Sequence, residues 1–288
     1  MDFRAIGMGL AFAFMWSSAF TSARIIVAAA PPLTALSIRF LISGLIGVAI
    51  ARAMGQSWRL TRGQWRATVL FGICQNALYL GLYFVAMQTV EASLAAIIAS
   101  TMPLLVALAG WLIFRDHIRP LGILGLLAGL VGVTLIMGSR LGGGADLFGV
   151  ALCVVGVLAL TFATLAVREA SSGGNLLMIV GLQMLVGSAA LALPAVALEP
   201  FEVAWSWQLA AAFAYTTLVP GLAATLVWFM LVNRIGAVRA ATFHFLNPFL
   251  GVAIAAALLG ETLGVVDMIG VAIIMAGILA VQLAKHPR

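Results

Sequence analysis

Charge is what this chain lacks most. Only 8% of its 288 residues are charged and 64% are hydrophobic, whereas about a quarter of an ordinary soluble domain is charged, so a soluble fold is excluded and an integral membrane protein is left. Cysteine is almost absent too. Cys74 and Cys153 both fall in apolar stretches, which argues against a disulfide framework or a zinc site and leaves two small buried apolar side chains. No G-x-x-x-x-G-K-[ST] run occurs, so primary pumping by this chain alone is excluded. No H-E-x-x-H motif, acidic cluster or nucleophile elbow occurs either, which sets aside an intramembrane hydrolase or lipid transferase. The expectation is a protein that is not an enzyme and needs no cofactor and no metal.

What is present is a series of apolar stretches, each long enough to cross about 30 Å of hydrocarbon as a helix. Charges, Pro and Gly place ten of them at 3–23, 33–52, 65–87, 92–113, 120–138, 147–168, 175–197, 207–232, 238–259 and 265–284. The first resembles a signal peptide, with Arg4 before it and small residues near Ala23, but nine similar segments follow and it reads as a span that stays. The net charge of +6 would suggest nucleic acid in a soluble chain. Here the basic residues flank the spans, so no nucleic-acid partner is expected. With a cytoplasmic N-terminus, Arg4, Arg52, Arg59, Arg62, Arg66, Arg115, Arg119, Arg168, Arg234, Arg239, Lys285 and Arg288 all lie inside, and only Arg24 and Arg140 lie near outer ends. That asymmetry predicts both termini in the cytoplasm.

The run Gly142-Gly143-Gly144 divides the spans five and five as a flexible hinge. At an offset of 145 residues, Pro103 falls on Pro248, Gly125 on Gly270, Gly132 on Gly277, Asp116 on Glu261 and Ala95-Ala96 on Ala240-Ala241. Five is odd, so the second copy must enter from the opposite side. The predicted units are residues 1–140 and 146–288, the second inverted relative to the first, which is an architecture used by many alternating-access carriers.

Several motifs then stand in order: Trp16-Ser17-Ser18-Ala19-Phe20, Pro32 with Arg39-Phe40, Pro103, Pro248, Gly260-Glu261, Gly270 and Gly277. With them the whole chain resembles the EamA-type branch of the drug/metabolite transporter superfamily. It departs at Ser17, where the family often has Gly, and at Asp116, where Glu is common. The resemblance implies an all-α membrane protein of ten transmembrane helices in two inverted five-helix repeats. It also implies a bacterial inner-membrane exporter of small metabolites, with amino acids the best-known cargo class. Helices one to four and six to nine would enclose a central cavity, with helices five and ten outside. Cargo in this superfamily ranges from amino acids to drugs and sugar phosphates.

Within the spans, Asn76, Tyr79 and Tyr83 share one helical face, as cavity lining or as glue between helices. Pro103 and Pro248 should kink equivalent helices and free the carbonyls of Ala99 and His244. Beside them, Ser100 and Thr101 in one half and Asn247 in the other offer a binding surface or a hinge. Pro220-Gly221 makes a further break, which the repeat aligns with Gln75-Asn76. Trp16 and Trp228 lie deep enough to face a cavity or to fill a core, while Trp58, Trp65, Trp205 and Trp207 read as interfacial anchors and Trp111 nears an inner boundary. Arg39 is a counter-charge or a gate partner for an acid such as Glu91, against a structural ion pair. His244 is a satisfied imidazole, a cargo contact or a proton site. No Asp or Glu lies deep in a span, so coupling through a membrane carboxylate is not expected. Gly122, Gly125, Gly129 and Gly132 form a small face for close helix packing.

The expected substrate-binding residues are therefore Trp16, Asn76, Tyr79, Tyr83, Ser100, Trp228 and His244, with Arg39, Pro103, Pro220 and Pro248 as gate or hinge. The expected partners are a small-molecule substrate, an amino acid or related metabolite, and the lipid bilayer, with the chain as a monomer. A facilitated uniporter of neutral or aromatic amino acids is the leading expectation. Efflux of drug-like solutes is the alternative within transport.

Overall fold

The computed structural model describes residues 3–115, 119–142, 146–166, 173–235, 240 and 242–284. Among the described residues, nine helices are long and apolar enough to cross a membrane: α1 Phe3–Val27, α2 Pro32–Ala53, α3 Arg62–Ala86, α4 Ala92–Ile113, α5 Pro120–Ser139, α6 Leu147–Leu165, α7 Leu176–Leu198, α8 Trp207–Trp228 and α10 Val265–Ala284. A shorter apolar helix, α9, covers Phe243–Leu259 and completes the ten. Asp116, Gly143, Gly144, Arg168, Arg239, Ala241, Lys285 and Arg288 lie outside the described residues. Successive helices alternate in direction, so α1 begins and α10 finishes at one end of the bundle, the near end.

Glycine sets the closest approaches. On α5 and α10, a Cβ on Gly277 would stand 2.6 Å from the Gly125 carbonyl oxygen, and one on Gly132 would stand 2.8 Å from that of Gly270. Any side chain there would force the backbones apart. Gly270 is the repeat equivalent of Gly125 and Gly277 of Gly132, so each glycine packs on the copy of the other, as a two-fold axis between the helices requires. The sequence left open what the α5 glycines pack against, and it is α10 of the same chain. α2 and α7 form the matching pair. Ser37 Oγ donates to the Ser188 carbonyl at 2.9 Å and Ser188 Oγ to the Ser37 carbonyl at 2.8 Å, which satisfies two hydroxyls where no water is available.

The helix starts are closed across the two halves. Glu199, just past α7, accepts from the N–H groups of Leu33 at 2.7 Å and Thr34 at 2.8 Å. Gln56, just past α2, accepts from the N–H of Met178 on α7 at 3.0 Å. An offset of 145 carries Leu33 to Met178, so each helix of the pair is capped from beyond the end of the other. Glu261 likewise accepts from Ala92 N–H at 2.8 Å and Ser93 N–H at 2.9 Å at the start of α4. A first-turn N–H group has no partner within its own helix, and a carboxylate also complements the positive end of the helix dipole.

Four spans are irregular, in two equivalent pairs. The π-helical segment Gly72–Tyr79 interrupts α3, and Val219–Ala223 interrupts α8. In α4 the helix stops at Ala99, turns through Ser100 and Thr101, and resumes at Met102. In α9 a 3-10 segment Thr242–Leu246 precedes the α-helix that starts at Asn247. Pro103 and Pro248 each sit in the first turn of the resumed helix, where a missing N–H is tolerated. At Pro103 the irregularity is thus a two-residue turn just ahead of the proline, and at Pro248 a change from 3-10 to α-helix one residue ahead of it.

Candidate functional site

Three of the four irregular helices, α3, α4 and α9, meet α1 and α6 around a small enclosed cavity. Trp16 and Phe20 of α1, Tyr79 of α3, Ala99, Ser100, Met102 and Pro103 of α4, Leu160 of α6, and His244 and Asn247 of α9 line it. Every one of these helices contributes at or beside an irregularity or across from one, and the local sequence explains why: proline and short polar residues interrupt the ladder where side chains must converge. The cavity has a volume of about 20 Å³, room for about one water molecule. An amino acid would need the walls to move apart.

Toward the near end the cavity floor is aromatic. Phe12 lies 5.7 Å from Trp16, 4.7 Å from Trp228 and 5.3 Å from His244, centroid to centroid, and the His244 ring stands edge-on to both Phe12 and Trp16. These separations fall in the range where ring quadrupoles attract. Toward the far end the Tyr79 and Tyr83 rings lie 4.6 Å apart, tilted by 59°, with Phe20 6.1 Å from Tyr83.

One polar node stands among these rings. Asn247 Nδ2 lies 2.9 Å from His244 Nδ1. The amide donates and the imidazole accepts, which leaves the imidazole proton on Nε2. Asn247 Oδ1 is buried without a partner, as are the hydroxyls of Tyr83, Thr21 and Ser93. A buried acceptor left open costs about 1–3 kcal/mol, so Asn247 Oδ1 is a point where a donor on a ligand would be favoured.

The π-helical segments are tied to the opposite half. Asn76 Nδ2 donates to the Gln183 carbonyl of α7 at 3.0 Å, and Gly187 makes room for it, since a Cβ there would stand 2.4 Å from Asn76 Cβ. In the other half, Arg39 Nε donates to the Thr216 carbonyl at 3.2 Å and Ser43 Oγ to the Thr217 carbonyl at 3.2 Å. Pro220 has no N–H to offer Thr216, four residues back, and Arg39 supplies a donor in its place. Arg39 also lies over the Phe40 ring, 5.0 Å from its centroid.

The far end is sealed. All of Ala92–Ile98 is buried, as are most residues of α1 beyond Ser17. Besides the Glu199 and Glu261 caps, the Ala204 N–H donates to the Ala29 carbonyl at 2.8 Å, and Arg24 donates to the Met87 carbonyl. Asp146 accepts from the Thr89 hydroxyl at 2.5 Å and from the N–H groups of Phe148 and Gly149. The hydroxyl first, then the two N–H groups, hold its carboxyl below the usual carboxylate range despite some opposing desolvation.

Of the residues singled out from sequence, Trp16, Tyr79, Ser100, Pro103 and His244 come together on the cavity. Trp228 stands behind His244, 5.1 Å from its ring, and Tyr83 stands behind Tyr79. Asn76, Arg39 and Pro220 lie at the tied π-helical segments, and Pro248 follows Asn247. Phe12, Phe20, Met102 and Leu160 carried no polar or conformational signal. Phe12 was reachable only as the residue one turn before Trp16. The capping roles of Glu199 and Glu261 had no sequence signal, because a cap across two halves leaves no local pattern.

Comparison with known proteins is consistent across the chain. Residues 3–138 and 147–283 each match the EamA-like transporter family. The chain is 25% identical over 269 residues to a Bacillus subtilis protein described as uncharacterized transporter YvbV, covering 93% of this chain and 88% of that one. It is 27% identical over 295 residues to the uncharacterized inner membrane transporter YedA of Escherichia coli K12, covering 97% and 91%. A shorter stretch of 120 residues, 40% of each chain, is 31% identical to the aromatic amino acid exporter YddG of Ancylobacter novellus. A protein crystal structure superposes with a TM-score of 0.72 at 22% identity, over 97% of this chain and 96% of that one, which establishes a shared fold.

Proposed function

The chain belongs to the EamA-like transporter family, and on that premise we propose that this multi-pass membrane protein exports neutral or aromatic amino acids across a bacterial inner membrane by alternating access. The observation that carries the reading is the enclosed cavity at the equivalent breaks of α4 and α9, walled by Trp16, Phe20 and Tyr79. Among the described residues its lining holds no Asp, Glu, Lys or Arg, so a cargo would be held by ring faces and single hydrogen bonds, and an apolar or aromatic side chain matches that chemistry. The relative named as an aromatic amino acid exporter supports the same class.

In this proposal residues 1–140 and 146–288 are the two units that rock, with Pro103 and Pro248 at the hinges and Arg39 and Pro220 at a third flexible point. Trp16, Tyr79, Ser100, His244 and Asn247 touch cargo, while Asn76, Tyr83 and Trp228 brace them. Both termini are cytoplasmic, since Arg4, Arg52, Arg59, Arg62, Arg66, Arg115, Arg119 and Arg234 stand at the near end. Among the described residues no lining carboxylate is available to carry a proton, so the carrier works as a uniporter down the cargo gradient, as a monomer.

Counterflow in proteoliposomes tests this. Vesicles loaded with unlabelled phenylalanine, tryptophan, methionine or threonine should take up the labelled form faster than protein-free vesicles, with phenylalanine and tryptophan fastest. No acceleration with any of the four, in protein that is folded, overturns the amino-acid assignment and favours other small solutes. Transport that stops when a pH gradient is collapsed, and no longer responds after His244→Gln, overturns the uniport.

A further inference from the structure

On the bilayer side of the broken α4, away from the cargo cavity, a second space opens. It has a volume of about 480 Å³ and lies between α4, α5 and α6, with Leu104, Leu108 and Trp111 on one wall, Ile123, Leu127 and Leu130 on another, and Val154 and Leu158 on the third. Its lining is apolar except for Thr101, whose hydroxyl is already spent on the Ile98 carbonyl at 2.7 Å. Leu127 and Leu158 are 56% and 50% exposed, so the groove faces hydrocarbon.

Three features select an occupant. The first is length: Ile98 to Trp111 is fourteen residues, about 20 Å of helix, and runs from the mid-membrane turn toward the near face, comparable to one leaflet of hydrocarbon at about 15 Å. The second is charge. Four residues beyond Trp111 stands the exposed Arg115, and four before Ile123 stands the exposed Arg119, so two arginines bracket the groove-lining stretches of α4 and α5 at the near-face end. The third is that the floor is specific to this half. Gly129 lets Leu104 sink against α5, whereas its repeat equivalent Ile274 is fully buried against Gly132. The repeat architecture by itself does not demand this opening.

We propose that this groove is a binding site for one anionic phospholipid of the near-face leaflet, an acyl chain lying along α4 and α5 and the phosphate held by Arg115 and Arg119. Guanidinium groups suit a phosphate through paired N–H donors, and basic side chains at a membrane surface attract acidic lipids. Thr101 lines the groove while its neighbour Ser100 lines the cargo cavity. The bound chain therefore bears on the back of the break whose front meets cargo.

The test is native mass spectrometry of the full chain in detergent, with phosphatidylglycerol or phosphatidylcholine of identical acyl chains added. The expected result is one retained phosphatidylglycerol, held at least tenfold more tightly than phosphatidylcholine. Leu127→Trp, which fills the groove at a bilayer-facing position and leaves the core untouched, should remove that bound lipid. Arg115→Gln with Arg119→Gln should bring phosphatidylglycerol down to the phosphatidylcholine level. Equal retention of the two lipids by the unaltered chain, no retention of either, or retention unchanged by Leu127→Trp would each overturn the proposal. As a check on place, phosphatidylglycerol brominated along its chain should quench a component of tryptophan fluorescence that Trp111→Phe removes, and quenching unaltered by that substitution counts against the groove.

Discussion

Arg39 of the second helix donates to the carbonyl of Thr216 in the eighth, 177 residues away, at 3.2 Å. That carbonyl is the one Pro220 leaves without a helical donor. A residue that looked like a counter-charge for cargo or for an outer acid thus has a defined structural partner, and a proline that looked like a lone helix breaker has a compensating side chain in the other half.

This pair should be coupled. Arg39→Leu leaves a buried carbonyl open, a loss of about 1–3 kcal/mol, whereas in a Pro220→Ala background a backbone N–H returns and the same substitution should cost about 1 kcal/mol less. Thermal unfolding of the four proteins in detergent measures this. Additive effects would show that Arg39 does not serve the carbonyl.

The cavity residues should act on cargo affinity. Asn247→Leu removes the unpartnered amide oxygen, and Trp16→Ala removes a ring wall. Each should raise the half-saturating cargo concentration in counterflow by about tenfold or more, the equivalent of about 1.4 kcal/mol, while the protein stays folded. Trp58→Ala, at an exposed position outside the bundle, should leave it unchanged. An equal response in all three would argue against the cavity as the cargo site.

The carboxylate caps should hold the far end shut. Glu199→Gln and Glu261→Gln each weaken two charge-assisted bonds to helix N–H groups, and losing a cap costs about 0.5–2 kcal/mol. A single cysteine at Val27, 5% exposed at the far end, should then react severalfold faster with an impermeant thiol reagent in each variant. The native Cys74 and Cys153 are buried and give the background. Unchanged labelling would mean that these caps do not set the closed state.

Asp146 gives a pH test with a definite sign. Its carboxyl is held below the usual range by Thr89 and two N–H groups, so its contribution to stability is full above the unfolded carboxylate value near 3.8 and is lost only as pH falls through the lowered folded value. Between pH 5 and 8 this cap should therefore be indifferent to pH. Thr89→Val should move the Asp146 titration upward, read from its carboxyl carbon-13 shift, and no movement would show that the hydroxyl is not the main cause.

Close packing of the fifth and tenth helices should tolerate no side chain. Gly277→Val places methyl groups where the Gly125 carbonyl already stands at 2.6 Å from a Cβ, and overpacking of this kind costs about 1–3 kcal/mol. Gly7→Val, with nothing within 4 Å, should be far milder. Comparable losses of melting temperature at the two sites would contradict the tight pairing.

Much of this architecture was legible before any coordinate. Spans announce themselves by length and polarity, and the offset that set Pro103 on Pro248 also set Gln75-Asn76 on Pro220-Gly221, so the paired irregularities could be placed although their π-helical form could not. The glycine face of the fifth helix was visible, but its partner was not, because glycines record only that something comes close. The cavity was half legible. Trp16, Tyr79, Ser100 and His244 carry polar or aromatic signals at unusual depth, whereas Phe20, Met102 and Leu160 look like any membrane-buried residue and take part only through position. The capping roles of Glu199 and Glu261 were not legible at all, since the helix start each serves is brought to it from over 160 residues away.

The exchange of caps between α2 and α7 has a consequence for how the protein is made. Leu33 and Thr34 enter the bilayer early in synthesis, yet the carboxylate that satisfies them belongs to residue 199 and emerges from the ribosome only after seven spans have been translated. Until then the second helix stands with an open first turn, and the first five spans form an unfinished assembly in the membrane. Completion of the early half waits on the late one, so a ribosome halted before residue 199 would leave a nascent chain that proteases and insertion chaperones can still recognise as incomplete.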